Sequence, residues 1–422
     1  MKILLIEPTI STDQKYHRKL SNRLNIYPPL TLAQLAGITP SSHEVEAISE
    51  RYQKIDFHWE GDVVCISCLT PVAPRAYEIA DVFRTNNIPV ILGGWHPSAL
   101  PEEAKQHADA VVIGEAEGVW KKLLTDIEHG ELKPFYKNDT PVDLHDVPSA
   151  NRTVNRGIGF IAGVQASRGC PMGCEFCGVT NSSDGRVFRK RPIKNVIEEV
   201  QEIKQKYLYF YDPSLTIDPT YTKQLFHAMK HVHKKFICFG NADVLQKDKE
   251  LLQAASDAGC QKWFIGFESI SQDTINALGK RSNKVEQYTS SIKEIHDHGM
   301  AVIGAFIFGF DTDTKNVFNT TAQMIYDLRI DIAECTVLTP YPGTPLFNRL
   351  HREGRILTKD WSKYTEHNNV VFQPKHMTPD ELLNGTKQVK QKVNSLSGIL
   401  RRSLHNKQFF MHNMFDNIFQ TF

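Results

Sequence analysis

The chain has 422 residues, more than the roughly 250–300 that one hydrophobic core serves, so two or three domains are expected. Its 49 Lys and Arg nearly cancel 48 Asp and Glu, which leaves no global field for a polyanion, and no nucleic-acid partner is expected. Eight cysteines are too few for a disulfide scaffold. The opening "MKILLIEPT" is too short for a signal-peptide core and no apolar run nears ~18 residues, so the expected compartment is the cytoplasm, where thiols stay available to metal.

In chain order, short apolar runs alternate with helical patterns, the signature of βα units on parallel sheets. "KILLIE", "EVEAIS", "DVVCISC", "PVILGG" and "DAVVIG" predict a five-stranded, doubly wound, Rossmann-like α/β domain over residues 1–130, with helices such as "PRAYEIADVFRTN" between strands. Ligands of such domains sit at the carboxyl ends of the strands, here Pro8-Thr9, Ser67 to Thr70, Gly93 to His96 and Gly114-Glu115. Residues 131–157, with three prolines and many turn formers, read as a linker. Six further strand candidates follow over 158–340: "FIAGVQA", "YLYFYD", "FICFGN", "KWFIGFE", "AVIGAFIFG" and "IAECTVL". Six repeats are too few to close an eight-stranded barrel, so a partial (β/α)6 barrel is expected, with chemistry at the strands' C-terminal ends. Residues 341–422 form a helical C-terminal extension.

Just past the first strand of the second set, "ASRGCPMGCEFCGVT" places Cys170, Cys174 and Cys177 at three-residue and then two-residue gaps. A closed zinc site needs four ligands, and the next His or Cys is His227, so zinc would require a distant partner. Three thiolates suffice for a cubic iron–sulfur cluster and leave one iron open to a substrate, with Gly169, Gly173 and Gly178 letting the loop wrap closely. This stretch resembles the CxxxCx(aromatic)C motif of the radical S-adenosylmethionine superfamily, matched by Cys170, Cys174, Phe176 and Cys177, and the resemblance extends over about 158–345. It implies a [4Fe–4S] cluster on the three cysteines that reductively cleaves S-adenosylmethionine to a 5′-deoxyadenosyl radical, with a flavodoxin or ferredoxin as electron donor.

The same resemblance implies S-adenosylmethionine contacts from Phe176, Tyr211, Asp212, Glu268, Ser269, Gly304 and Gly309. The alternatives are local. Phe176 could pack under the loop, and Asp212, Ser269 and Asp311 could each cap a helix. "RVFRKRP" could hold an anionic substrate or be a solvated helix start.

In the N-terminal half, "SCL", "ILGGWHP" and "DAVVIGEAEG" resemble the cobalamin-binding domain fused to many such enzymes, which implies that Ser67, Leu69, Gly93 and Gly94 receive the nucleotide tail. The Asp-x-His-x-x-Gly segment that supplies a cobalt ligand elsewhere is absent, which argues against His ligation; a degenerate domain kept for packing is the alternative. Cys65-x-x-Cys68 reads as buried filling rather than a redox pair. Cys238, Cys260 and Cys335 stand alone, so no second cluster is expected. "LTPYPGTPLFNRLHREGRILTKDWSKY" resembles the tail of cobalamin-type enzymes acting on hopanoids and related lipids.

The expectation is therefore cobalamin-dependent C-methylation of an unactivated carbon of a hydrophobic, lipid-like or isoprenoid-like small molecule. A radical enzyme that closes a ring or couples carbons on a lipid or tetrapyrrole is one alternative, and a zinc-binding adaptor another. Met411, Phe415 and Phe419 share one face of a C-terminal helix beside Arg401, Arg402 and Lys407, which could rest on an anionic membrane or dock on the barrel.

Overall fold

A computed structural model describes residues 1–10, 30–154, 159–280 and 282–403. The Met411, Phe415 and Phe419 face falls outside them.

The N-terminal sheet comprises β1 (Lys2–Glu7), β2 (Glu44–Ser49), β3 (Val63–Ser67), β4 (Val90–Gly93), β5 (Ala110–Ile113) and β6 (Phe135–Lys137), all parallel, in the order β2-β1-β3-β4-β5-β6. Both faces are covered, which is why the strands read as unbroken apolar runs. Leu4 and Ile6 of β1 join Ile79 and Phe83 in one core, while Ile3 and Leu5 join Leu32, Leu123 and Trp120 in another. The sheet has six strands rather than the expected five. Phe135–Lys137, read as linker, pairs with β5 because Phe135 and Tyr136 bury against these cores. The strand order reverses between β1 and β3, the position where open α/β sheets part to admit a ligand.

The second sheet holds β7 (Ile161–Val164), then, past the short antiparallel pair β8 (Ser167–Arg168) and β9 (Arg189–Lys190), β10 (Tyr207–Phe210), β11 (Lys235–Phe239), β12 (Cys260–Glu268), β13 (Ala301–Phe308) and β14 (Ile332–Val337). Its order is β14-β13-β12-β11-β10-β7, an open partial barrel in which β7 and β14 do not meet. Helices Ile193–Glu202, Pro219–Met229, Lys249–Ala258, Tyr288–Asp297 and Val317–Asp327 cover its outer face and bury one large core with Phe210, Phe236, Trp263, Phe267 and Phe306.

The C-terminal extension runs through helices Pro345–Arg352, Pro379–Val393 and Leu396–Ser403. Its loop at Trp361 reaches back to the first domain, where the indole N–H donates to Glu103 Oε1 at 2.8 Å. The same oxygen accepts from Tyr77 at 3.1 Å and lies 3.1 Å from Nε2 of the fully buried His96. Among the described residues no helix is long and apolar enough to cross a membrane.

Candidate functional site

The cysteine loop leaves the C-terminal end of β7 and is pinned at its start by Asp212, at the end of β10. This carboxylate is 1 % exposed and accepts from the backbone N–H of Ala166 at 3.1 Å, from the N–H of Ser167, and from Ser167 Oγ at 2.6 Å. Burial pushes its pKa up to about 6 against those hydrogen bonds. Asp212 thus holds the start of the loop and does not cap the following turn, whose N-cap is Ser214. Gly169, at φ 84°, lies so close to the returning chain that a Cβ would stand 2.1 Å from the Val187 carbonyl oxygen, which only glycine permits.

Beyond Gly169 the loop's own side chains satisfy the cysteine carbonyls. Thr180 Oγ1 donates to Cys170 at 2.6 Å, and Asn181 Nδ2 donates to Cys174 at 2.9 Å and to Cys177 at 2.8 Å. Cys174 is buried and the other two partly so, and burial pushes the Cys174 thiol up to about 11. The three thiols sit close enough that Cys177 acts electrostatically on both others. Among the described residues no three His, Cys, Asp or Glu are gathered as a single ion requires, where thiolates 2.3 Å from one zinc would stand about 3.8 Å apart.

Facing the cysteines is a charge pair that sequence reasoning found only by half. Glu268 ends β12 in a left-handed conformation, φ 62°, and its carboxylate accepts from the Lys280 ammonium. Both are nearly buried, at 9 % and 13 % side-chain exposure. Burial pulls Lys280 down, but Glu268 and Cys174 outweigh it, and its pKa lies above the ordinary lysine value. Gly266 makes room for the pair, since a Cβ there would stand 2.3 Å from Glu268 Oε1 and 2.8 Å from Lys280 Nζ. Ser269 turns its hydroxyl to the Ser271 N–H at 3.1 Å, and Ser271 is the residue that caps the next helix.

The remaining predicted contacts spread. Phe176 lies 6.1 Å from Phe310 between ring centroids and packs against the barrel core. A Cβ on Gly304 would point at Ile330 and Phe267 on the helical side of the sheet, and one on Gly309 at Leu382 and Phe372, so both glycines relieve packing on that side. Tyr211 is not beside the cysteines: it lines a cavity between the two domains and fills the space that Gly163 leaves open. Asp311 binds Arg349 and Arg355, each at 2.6 Å, rather than capping a helix. Arg349 also holds Glu175, inside the cysteine motif, at 2.9 Å.

That interdomain cavity, about 550 Å³, opens at the carboxyl ends of the first sheet. Ser67, Gly93, Gly94 and Cys65 line it from that side, and Gln165, Arg168 and Tyr211 from the barrel. Gly94, at φ 95°, has no room for a side chain, because a Cβ would stand 2.8 Å from the Cys68 carbonyl oxygen. Leu69 is 62 % exposed and lies outside the cavity lining. Cys65 and Cys68 are buried thiols whose pKa values burial drives far above the ordinary range.

The wall at the barrel is a charge network across the domain boundary. Arg168 meets Glu117 at 2.6 Å and Glu115 at 3.6 Å, and Arg189 grips Glu115 with both terminal nitrogens at 2.7 and 2.8 Å. "RVFRKRP" is therefore largely consumed internally, since Lys190 and Arg191 also pair with Asp218 and Glu199.

Over 415 residues, 95 % of this chain and 89 % of the relative, the sequence is 31 % identical to bacteriochlorophyllide d C-12(1)-methyltransferase of Chlorobaculum tepidum. The chain belongs to the cobalamin-dependent radical S-adenosylmethionine methyltransferases. Residues 164–325 match the radical SAM superfamily and residues 24–124 the B12 binding domain. Hopanoid C-2 methylase of Rhodopseudomonas palustris is 24 % identical over 83 % of this chain and 68 % of its own length. The radical S-adenosylmethionine methyltransferase TsrM from Kitasatospora setae, solved with cobalamin and a [4Fe–4S] cluster bound, shares the fold at TM-score 0.70 and 14 % identity, over 93 % of this chain and 85 % of its own.

As a family member the chain uses a [4Fe–4S] cluster, S-adenosylmethionine and cobalamin, and the zinc-adaptor alternative falls away. The donors fit these groups. Three thiols on one loop with their carbonyls already satisfied suit a cluster, and a 550 Å³ cavity lined by Ser67, Gly93 and Gly94 has room for a bulky tail.

Proposed function

We propose that this chain transfers a methyl group from cobalamin to an unactivated carbon of a hydrophobic small molecule, with Cys170, Cys174 and Cys177 holding the cluster and Ser67, Gly93 and Gly94 receiving the cobalamin tail. The observation that supports this reading is the 550 Å³ cavity at the carboxyl ends of the first sheet, lined on the barrel side by Gln165 and Arg168, the segment that leads directly into the cysteine loop. When bound, the cluster with S-adenosylmethionine supplies a carbon-centred radical and cobalamin supplies the methyl group.

The protein's own residues bind, orient and exclude water. Glu268 and Lys280, charged and buried beside the thiols, are matched to the amino and carboxylate groups of an amino acid. Asp212, Thr180 and Asn181 fix the loop so that little reorganises when the cluster is reduced. A flavodoxin or ferredoxin serves as the reductant, and the cytoplasm, with peripheral membrane contact through the tail, is the proposed setting.

The test is anaerobic purification with iron, sulfide and cobalt analysis, followed by assay with methyl-labelled S-adenosylmethionine. Iron with cobalt and label in the product support the reading. A product without the label returns the ring-closing alternative. The Cys174→Ala protein should lose the cluster's broad visible absorption and all cleavage of S-adenosylmethionine; retained cleavage would sink the cluster assignment.

A further inference from the structure

The inner face of the barrel carries a feature that the cofactors do not account for. Along β10, β11 and β12, alternate residues point to opposite faces. Phe210, Phe236, Trp263 and Ile265 go outward into the helical core, where Phe226 of helix Pro219–Met229 lies 5.3 Å from Phe236 and 6.1 Å from Trp263. Their neighbours Tyr209, Phe239 and Phe264 therefore face the barrel's hollow, and all three are half-buried.

These rings form a continuous row. Tyr211, on the cavity wall and 40 % exposed, lies 5.0 Å from Tyr209; Tyr209 lies 5.7 Å from Phe239, and Phe239 4.6 Å from Phe264. The row starts at the interdomain cavity and ends two residues before Gly266, which borders Glu268 and Lys280. It crosses the sheet from the tail cavity to the cluster side, where a carbon that must meet both cofactors has to lie. Resting on the C-methyltransferase reading, we infer that Tyr209, Phe239 and Phe264 are the substrate platform, and that they select a flat conjugated ring system over a branched saturated chain.

The physical reason is the ring quadrupole. Interplanar angles of 46°, 77° and 40° along the row present both ring faces and ring edges to the hollow. A conjugated ligand, with its own negative face and positive edge, gains from both arrangements beyond the area it buries, whereas a saturated chain gains only the area. That extra term amounts to about threefold to tenfold in affinity per ring contact.

Protoporphyrin IX, followed by quenching of its emission, and squalane, followed by competition, are titrated against the full chain loaded with cobalamin. The expected result is that protoporphyrin binds and squalane displaces it poorly. The double variant Phe239→Leu/Phe264→Leu, which keeps apolar bulk but removes two rings, should weaken protoporphyrin by about tenfold or more and leave squalane within about twofold. Phe239→Tyr, which keeps the ring, should bind as the parent does and so exclude a general packing effect. Squalane displacing protoporphyrin at equal or lower concentration, or unchanged porphyrin affinity in the leucine pair, would overturn the inference. Cobalamin retention is read in the same samples from its visible absorbance. Its loss with porphyrin binding intact would count against methyl transfer and leave the platform standing.

Discussion

Glu268 and Lys280 form a buried charge pair beside the cysteine loop, so a change at either residue bears on the fold as well as on the proposed site. Removing one partner strands the other in a low-dielectric site, so Lys280→Met should destabilise the fold by about 3–5 kcal/mol in urea unfolding. The Glu268→Gln/Lys280→Met double variant should recover most of that loss, because two neutral side chains leave no stranded charge. Neither variant should bind S-adenosylmethionine tightly. Full binding by the stability-restored double variant would show that the pair serves the fold alone. The cysteines and Glu268 were legible because their local spacing and strand-end position are themselves the signal. Lys280 was not, because its link to Glu268 is a contact across twelve residues of loop and helix with no pattern of its own. Asp212 was found at the right strand end, but only its hydrogen bonds to Ala166 and Ser167 reveal that it holds the loop.

Helix Pro345–Arg352 is tied to the cysteine loop by charge as well as by packing, with Arg349 bridging Glu175 and Asp311 and Arg355 completing the cluster. Burial raises the Asp311 carboxyl, but hydrogen bonds from Arg355 and Arg349 outweigh it and hold its pKa below the ordinary 3.8. Its stabilising contribution is therefore complete above about pH 4, the unfolded value, and is lost as pH falls through the lower folded value. Acid titration followed by near-ultraviolet circular dichroism should show this helix loosening only below about pH 4. The Arg355→Gln protein should be less stable at neutral pH and show a shallower loss below about pH 4, since less depression remains to be titrated away. An unchanged profile would remove Arg355 from the cause. Apolar runs made the eleven longer strands readable, but Phe135–Lys137, three residues between turn formers, is too short to form such a run, and its partner β5 decides its fate.

Across the whole molecule, the register between the two domains rests on the square of Arg168, Glu117, Glu115 and Arg189, with side-chain exposures of only 10–20 %. Glu117→Arg should place like charges together and reduce the cobalamin retained through gel filtration severalfold, and the reciprocal Glu117→Arg/Arg168→Glu swap should regain much of it. No recovery in the swap would mean that the pair's geometry, and not its charge, holds the domains. None of this was visible in the sequence, where "EAEG" belongs to the cobalamin-domain resemblance and "RVFRKRP", some 70 residues on, reads as a holder of an anionic substrate or a solvated helix start. The bond from Trp361 to Glu103 spans 258 residues and bears on the chain's birth rather than its catalysis. At 5–20 residues per second, a ribosome exposes the finished first domain for roughly 10–50 s before the indole that completes its Glu103 cluster exists. During that interval Tyr77 and His96 share an acceptor that lacks its third donor and its cover. A chain ending at residue 340 would be arrested in that state permanently, and limited proteolysis should nick it between residues 95 and 105, a segment the full-length protein protects.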